Sequence, residues 1–127
     1  MNKEKIRMEY ILNNISLSVL WNSISTPSGL SDWFADNVTV DGKIYSFWWD
    51  GNGHQAELQI ARVGYYIRFH WLDDEDPKTY FEFKVEPNEL TGNVALIITD
   101  YVHHDEKQDA IKLWDKQVDD LRRRSGM

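Results

Sequence analysis

The chain contains no cysteine, and it has few prolines and few basic residues. Its 127 residues include three Pro and 14 Lys or Arg, against 21 Asp or Glu. The absence of cysteine excludes disulfides and thiolate-ligated metal sites, and it is compatible with a reducing cytoplasm. The net charge of −7 disfavours binding to nucleic acid and to anionic lipid, because both carry charge of the same sign.

Long apolar runs are also missing. The longest fully aliphatic segment, Val94 to Ile98, is far too short to span a membrane. The charged start at residues 1–5 leads straight into a strand pattern, without the apolar core of a secretory signal. We therefore expect a cytoplasmic protein with no membrane insertion. The length fits a single domain over residues 1–127.

Aromatic residues, in contrast, are abundant. The chain has six Trp, six Tyr and five Phe. Large rings either fill a core or line a cavity. Since protein interiors normally pack densely, the sequence leaves open whether these rings enclose a usable space or fill it completely.

Hydrophobic periodicity predicts one strand, two short helices, a run of strands and a closing helix. Residues 6–12 alternate with a period of two, which is typical of a strand. Residues 17–24 have helical spacing after Ser16, a suitable N-cap, and Thr26-Pro27 is typical of a second helix start. Between residues 37 and 102, short alternating segments separated by tight turns predict an antiparallel meander.

The closing helix is predicted over residues 106–124. It carries a narrow apolar stripe of Ile111, Trp114, Val118 and Leu121. One face of the meander needs a cover, and only this helix is long enough to provide it. Strand alternation predicts that this face consists of Phe47, Trp49, Ala56, Leu58, Ile60, Ile67, Phe69, Trp71, Phe81, Phe83 and Val85.

Three stretches resemble a known family. Residues 18–34 end in Trp33-Phe34, Phe47-Trp48-Trp49 lies at the start of the meander, and residues 110–121 contain Trp114. Together with the element order, they resemble the START-like (SRPBCC) superfamily, especially its AHSA-type branch, similar to the activator of heat-shock-protein-90 ATPase. The resemblance implies an α+β helix-grip fold in the order β-αα-β(5–6)-α, with a curved antiparallel sheet wrapped on a long C-terminal helix. It also implies a bacterial protein.

Many members of this family hold an apolar ligand between the sheet and the last helix. The resemblance therefore implies a small hydrophobic or amphipathic ligand. Because the residues show no convincing catalytic set and no convergent metal ligands, we expect it to be bound without catalysis, cofactor or metal ion. The residues expected to contact it are Trp33, Phe34, Phe47, Trp49, Leu58, Ile67, Phe69, Trp71, Phe81, Phe83, Trp114 and Val118.

Two other functions stay open. The acidic surface, with Trp48 or Tyr66 exposed, would suit a homodimer or a co-chaperone-like module with a protein partner, although the eukaryotic activator needs a further domain for its role. An enzyme of the cyclase or hydratase type would need an acid–base group, for which His70 and Asp100 are the candidates.

The titratable residues give weak signals for chemistry. His103-His104-Asp105 has the composition of a metal site, but adjacent side chains point apart and zinc needs three or four convergent ligands. Alternation places His70 on the outer face of its strand. For Asp100 we expect a surface position, with the strand frayed there, because aspartate is mostly exposed in proteins; a cavity position would raise its pKa and make it a functional candidate.

Overall fold

The computed structural model describes residues 3–125, and seven antiparallel strands form its single sheet. Their order across the sheet is β1-β7-β6-β5-β4-β3-β2, so that the first strand pairs with the last over its whole length. Their bounds are β1 Glu4–Leu12, β2 Asn37–Asp41, β3 Ile44–Trp49, β4 Asn52–Arg62, β5 Tyr66–Trp71, β6 Phe81–Pro87 and β7 Val94–Val102.

Two short helices connect β1 to β2. They are α1 (Leu17–Ser25) and α2 (Pro27–Trp33). Both predicted N-caps are confirmed: the Ser16 hydroxyl accepts a hydrogen bond from the Val19 N–H at 3.2 Å, and the Thr26 hydroxyl accepts one from the Gly29 N–H at 3.0 Å.

The glycine in α2 has a packing reason. A Cβ atom at Gly29 would lie 2.1 Å from the backbone oxygen of Asn22 in α1, well inside contact distance. The hydrogen at this position lets α2 cross close to the end of α1. This close crossing brings Trp33 and Phe34, at the end of α2, over the concave face of the sheet, where both are buried.

The last helix, α3 (Lys107–Arg124), follows a 3₁₀ turn at His104–Glu106. Its buried residues are Trp114, Val118 and Leu121, as the apolar stripe predicted. They join a core built from the concave face of the sheet and the inner sides of α1 and α2. The predicted α+β helix-grip architecture, a curved antiparallel sheet with a long C-terminal helix, is confirmed.

One strand-face prediction is wrong. Ile60 was expected on the concave face, but it pairs with Arg68 on the outer face and its side chain is 44% exposed. The cause is a shift in the β4–β5 register between Leu58 and Ile60. A bulge of this kind adds one residue to a strand, so every residue beyond it points to the opposite face from the simple alternation.

Candidate functional site

An apolar pocket of about 280 Å³ opens between α3 and the concave face of the sheet. Aromatic rings from α2, three strands and α3 form its walls, and it contains two polar side chains, a carboxylate and an amide. The lining residues are Phe34, Trp49, Trp71, Phe81, Asp100, Ala110, Leu113, Trp114 and Gln117.

The rings that line the pocket are packed against one another. Phe34 stacks on Trp114 with 5.5 Å between ring centroids and an angle of 8° between planes, and it meets Trp49 edge-on at 5.2 Å. Trp71 stacks on Phe81 at 4.7 Å. Such contacts hold each ring in a defined orientation, so the pocket has a largely preformed shape.

The backbone oxygen of Phe34 fixes the junction of three elements at the pocket. It accepts one hydrogen bond from the indole Nε1 of Trp49 at 2.8 Å and a second from Nε2 of Gln117 at 2.9 Å. The last carbonyls of a helix lack partners within the helix. Here β3 and α3 both donate to the end of α2, which ties the three elements together.

Asp100 is the one carboxylate in the pocket lining. Its Oδ2 accepts a hydrogen bond from the indole Nε1 of Trp114 at 3.1 Å, and its Oδ1 accepts one from the backbone N–H of Tyr101 at 2.8 Å. Burial raises the pKa of Asp100 above its usual range, and these two hydrogen bonds offset only part of that effect.

This placement corrects the expectation of a surface aspartate. β7 stays regular to Val102 and pairs Asp100 with the buried Ile6 of β1. Since Leu96 and Ile98 are fully buried on the concave face, the alternation carries Asp100 to that face as well.

The family model of the START-like superfamily domain matches residues 1–126. The chain belongs to the START-like superfamily. A Bacteroides fragilis protein, whose structure was determined in solution by NMR, shares 52% sequence identity with it. The match covers 97% of this chain and 91% of that protein, with a TM-score of 0.69.

More distant START-like structures share the fold alone. The Aha1 dimer from Colwellia psychrerythraea is 16% identical, with a TM-score of 0.76 over 94% of this chain and 93% of that one. A protein of the dynemicin biosynthetic locus is 15% identical, with a TM-score of 0.78 over 94% of this chain and 46% of its own length. Among curated proteins, none matches the chain.

The predicted ligand-binding residues of this START-like domain fall into three groups. Five of the twelve line the pocket: Phe34, Trp49, Trp71, Phe81 and Trp114. Leu58 is partly buried against the core, and the remaining six are buried core residues that do not themselves line the pocket. Those six are Trp33, Phe47, Ile67, Phe69, Phe83 and Val118.

The predicted ligand-contact set omits four lining residues, of which Asp100 was considered only as a functional group of a cavity and two others left a signal in the sequence. Leu113 is a large apolar residue off the buried stripe of α3, and its side chain is 57% exposed at the pocket. Gln117 lies three residues after Trp114, on the same side of the helix. Ala110 carries no distinguishing feature in the sequence.

The histidine candidates take part in ordinary contacts. Nδ1 of His104 lies 2.6 Å from the Glu4 carboxylate, and Nδ1 of His70 lies 2.8 Å from the backbone oxygen of Thr79 on the outer side of the sheet. Within residues 3–125, no group of three or more His, Asp or Glu side chains is placed to hold a metal ion. No helix in the same range is both long and apolar enough to cross a membrane.

Proposed function

We propose that this START-like domain binds a small apolar or amphipathic molecule in the pocket between α3 and the sheet. The observation that carries the proposal is the pocket lining: five packed rings, two small or aliphatic side chains and two polar groups. This composition is typical of small-molecule sites, where apolar walls supply affinity and a few polar groups orient the ligand. Burial contributes about 25 cal/mol per Å² of apolar surface, before the costs of association.

The polar groups of the pocket favour binding over catalysis. Asp100 is the only titratable residue in its lining, and both of its oxygens accept hydrogen bonds from the protein. General acid–base chemistry usually requires a second titratable or polarising group within reach of the reacting atoms. We therefore propose a binding role for Asp100, as the acceptor or donor that orients one polar group of the ligand.

The source organism, the cellular location and any protein partner are also proposals. The 52% identical relative comes from a bacterium, which supports a bacterial origin, and we propose a cytoplasmic location. A homodimer or another protein partner stays a prediction. The similar Aha1 structure is a dimer, but at 16% identity it carries only the fold to this chain.

A plugged pocket tests the proposed function. Ala110 lines the pocket, so Ala110→Phe should fill it, whereas Lys112→Phe adds the same ring at an exposed position of the same helix that does not line the pocket. The probe is N-phenylnaphthylamine, a neutral dye whose fluorescence rises in an apolar site. We expect saturable binding to the wild-type protein and to Lys112→Phe, and at least about tenfold weaker binding to Ala110→Phe.

Two results would contradict the proposal. One is the absence of saturable dye binding by wild-type protein. The other is an Ala110→Phe variant that binds the dye as tightly as Lys112→Phe does while both variants retain the wild-type circular dichroism spectrum. Native mass spectrometry of protein purified from cells complements this experiment, because a co-purifying molecule would show its mass directly.

A further inference from the structure

A second hollow of about 280 Å³ adjoins the first one at the end of the sheet. It is lined by Trp49, His54, Trp71 and Asp73, and we call these four residues the aromatic cage. Trp49 and Trp71 also line the pocket under α3. The two hollows therefore share two indole rings, and one elongated molecule could occupy both.

Strand register explains why the three rings of the aromatic cage meet. His54 pairs with Phe47, which lies two residues before Trp49 in β3, and Trp71 pairs with Ala56, which lies two residues after His54 in β4. Paired residues and residues two apart share one face of a sheet. Trp49, His54 and Trp71 therefore project from the same face of three neighbouring strands.

The spacing of the rings suits a cation between them. Their centroids are 6.0 Å apart for Trp49 and His54, 6.2 Å for Trp49 and Trp71, and 6.3 Å for His54 and Trp71, and the three planes are inclined to one another by 50°, 59° and 77°. A point above the triangle formed by the three centroids can therefore lie about 4.5 Å from all of them. This is within the range in which a cation is attracted by a ring face.

Asp73 supplies negative charge at the same place. Its side chain is exposed, and within residues 3–125 it forms no ion pair or side-chain hydrogen bond. Its neighbour Asp74, in contrast, pairs with Lys3 at 3.1 Å. The lining of the cage contains no Lys or Arg. The negative faces of the rings and the Asp73 carboxylate therefore both favour a positively charged ligand.

We propose that the aromatic cage binds the quaternary ammonium head of an amphipathic ligand, whose apolar part lies in the pocket under α3. The inference rests on the proposed function, because that pocket must accept the apolar part. A quaternary ammonium group is weakly hydrated and has no N–H to donate. It therefore needs ring faces and one nearby carboxylate rather than a set of hydrogen-bond acceptors.

The test compares three ten-carbon ligands by isothermal titration calorimetry, with the two ionic ligands below their micelle concentrations and decanol below its solubility limit. Decyltrimethylammonium carries the proposed head group, decanol is neutral and decanoate is anionic. We expect decyltrimethylammonium to bind about 5- to 30-fold more tightly than decanol, and decanoate to bind more weakly than either. Added salt should reduce the preference for the cation, because Asp73 is exposed.

Matched variants locate the cation. Asp73→Asn should reduce the preference for decyltrimethylammonium over decanol by about three- to tenfold and leave decanol binding unchanged. Glu75→Gln removes an exposed carboxylate of the same loop that does not line the cage. It should change neither the preference for decyltrimethylammonium nor the binding of decanol. His54→Phe should retain the preference and His54→Ala should reduce it, since the first variant keeps an aromatic wall.

The outcomes separate this inference from the proposed function. If decanol and decyltrimethylammonium bind equally well and Asp73→Asn has no effect, the cage assignment fails while the apolar pocket stands. If Asp100→Asn removes the preference and Asp73→Asn does not, the cation lies at Asp100 and the cage assignment is again wrong. If neither decanol nor N-phenylnaphthylamine binds, the proposed function fails, and the inference fails with it even if tetramethylammonium binds alone.

Discussion

The indole Nε1 of Trp114 donates a hydrogen bond to Oδ2 of Asp100, 3.1 Å away inside the pocket. This contact joins the middle of α3 to β7. Within residues 3–125, no other side chain donates a hydrogen bond to Asp100. The pocket therefore combines a large apolar ring with a carboxylate whose charge is poorly solvated. Both properties lead to measurable predictions.

The first prediction concerns the charge of Asp100. Burial raises its pKa above the ordinary value of 3.8, so the charged form is penalised in the folded state but not in the unfolded state. The stability of the wild type relative to Asp100→Asn should therefore be highest below about pH 4, and it should fall as the pH rises through the folded-state pKa. Urea unfolding of both proteins from about pH 4 to about pH 8 measures this difference.

The control for this series is Glu89→Gln, which replaces an exposed loop carboxylate. Because this side chain is exposed, the substitution should change stability by less than about 0.5 kcal/mol. A stability difference between wild type and Asp100→Asn that is constant across the series, or that changes in the opposite direction, would show that burial does not govern the titration of Asp100.

The second prediction concerns Trp114, whose ring is 7% exposed and stacked on Phe34. Trp114→Ala should lower the free energy of unfolding by about 3–5 kcal/mol, because the change leaves a cavity and removes a hydrogen bond from a buried carboxylate. Leu113→Ala, at the neighbouring exposed position, should cost less than about 1 kcal/mol. A loss below about 1 kcal/mol for Trp114→Ala in chemical unfolding would mean that α3 is not held to the sheet through this ring.

The third prediction concerns Asp74 in the β5–β6 loop. Although burial raises its pKa, hydrogen bonds from Thr79, from the Asp76 N–H and from Lys3 lower that pKa overall, to about 2. A depressed pKa contributes stability that is present above the unfolded value of 3.8 and is lost as the pH falls through about 2. Asp74→Asn should therefore cost about 2 kcal/mol at neutral pH.

Acid unfolding monitored by circular dichroism checks this value. The difference between wild type and Asp74→Asn should shrink as the pH falls from about 5 and should nearly vanish near pH 2. Glu75→Gln is the matched control in the same loop, at an exposed position. If Asp74→Asn lowers the free energy of unfolding as much at pH 2 as at neutral pH, the loss comes from packing and not from the charge of the carboxylate.

The fourth prediction concerns the close contact of α1 and α2. Gly29→Ala would place a Cβ 2.1 Å from the backbone oxygen of Asn22, so the two helices must move apart. We expect a loss of about 1–3 kcal/mol despite the better helix propensity of alanine. Ser28→Ala, at the preceding exposed position, should change stability by less than about 0.5 kcal/mol. A Gly29→Ala variant as stable as the wild type in thermal unfolding would contradict this packing account.

Local patterns predicted most of the fold. The strand over Glu4–Leu12 and the apolar stripe of α3 follow directly from periodicities of 2 and 3.6 residues. Ile60 was misplaced because a bulge depends on how β4 pairs with β5, and alternation within one strand carries no information about that pairing.

The site was less predictable than the fold, for a physical reason. Residues 94–98 are apolar at every position, so the strand pattern did not decide the face of Asp100. The usual exposure of aspartate, which reflects the cost of burying a carboxylate, favoured the surface. The hydrogen bond that offsets part of this cost comes from Trp114, on a different element. In the same way, whether rings interlock or leave a space depends on their packing in three dimensions. Twelve residues were therefore candidates where five line the pocket.

The central claim is that the space between α3 and the sheet binds a ligand, and the six tryptophans provide the most direct test. Each indole N–H gives one signal in a ¹⁵N–¹H NMR spectrum of the labelled protein, and titration with N-phenylnaphthylamine reports on all of them together. Trp49, Trp71 and Trp114 line the pocket, whereas Trp21 and Trp48 do not. We predict saturable shifts of the first three signals and little change in the last two; shifts confined to Trp21 or Trp48, or no saturable shift at all, would contradict the account.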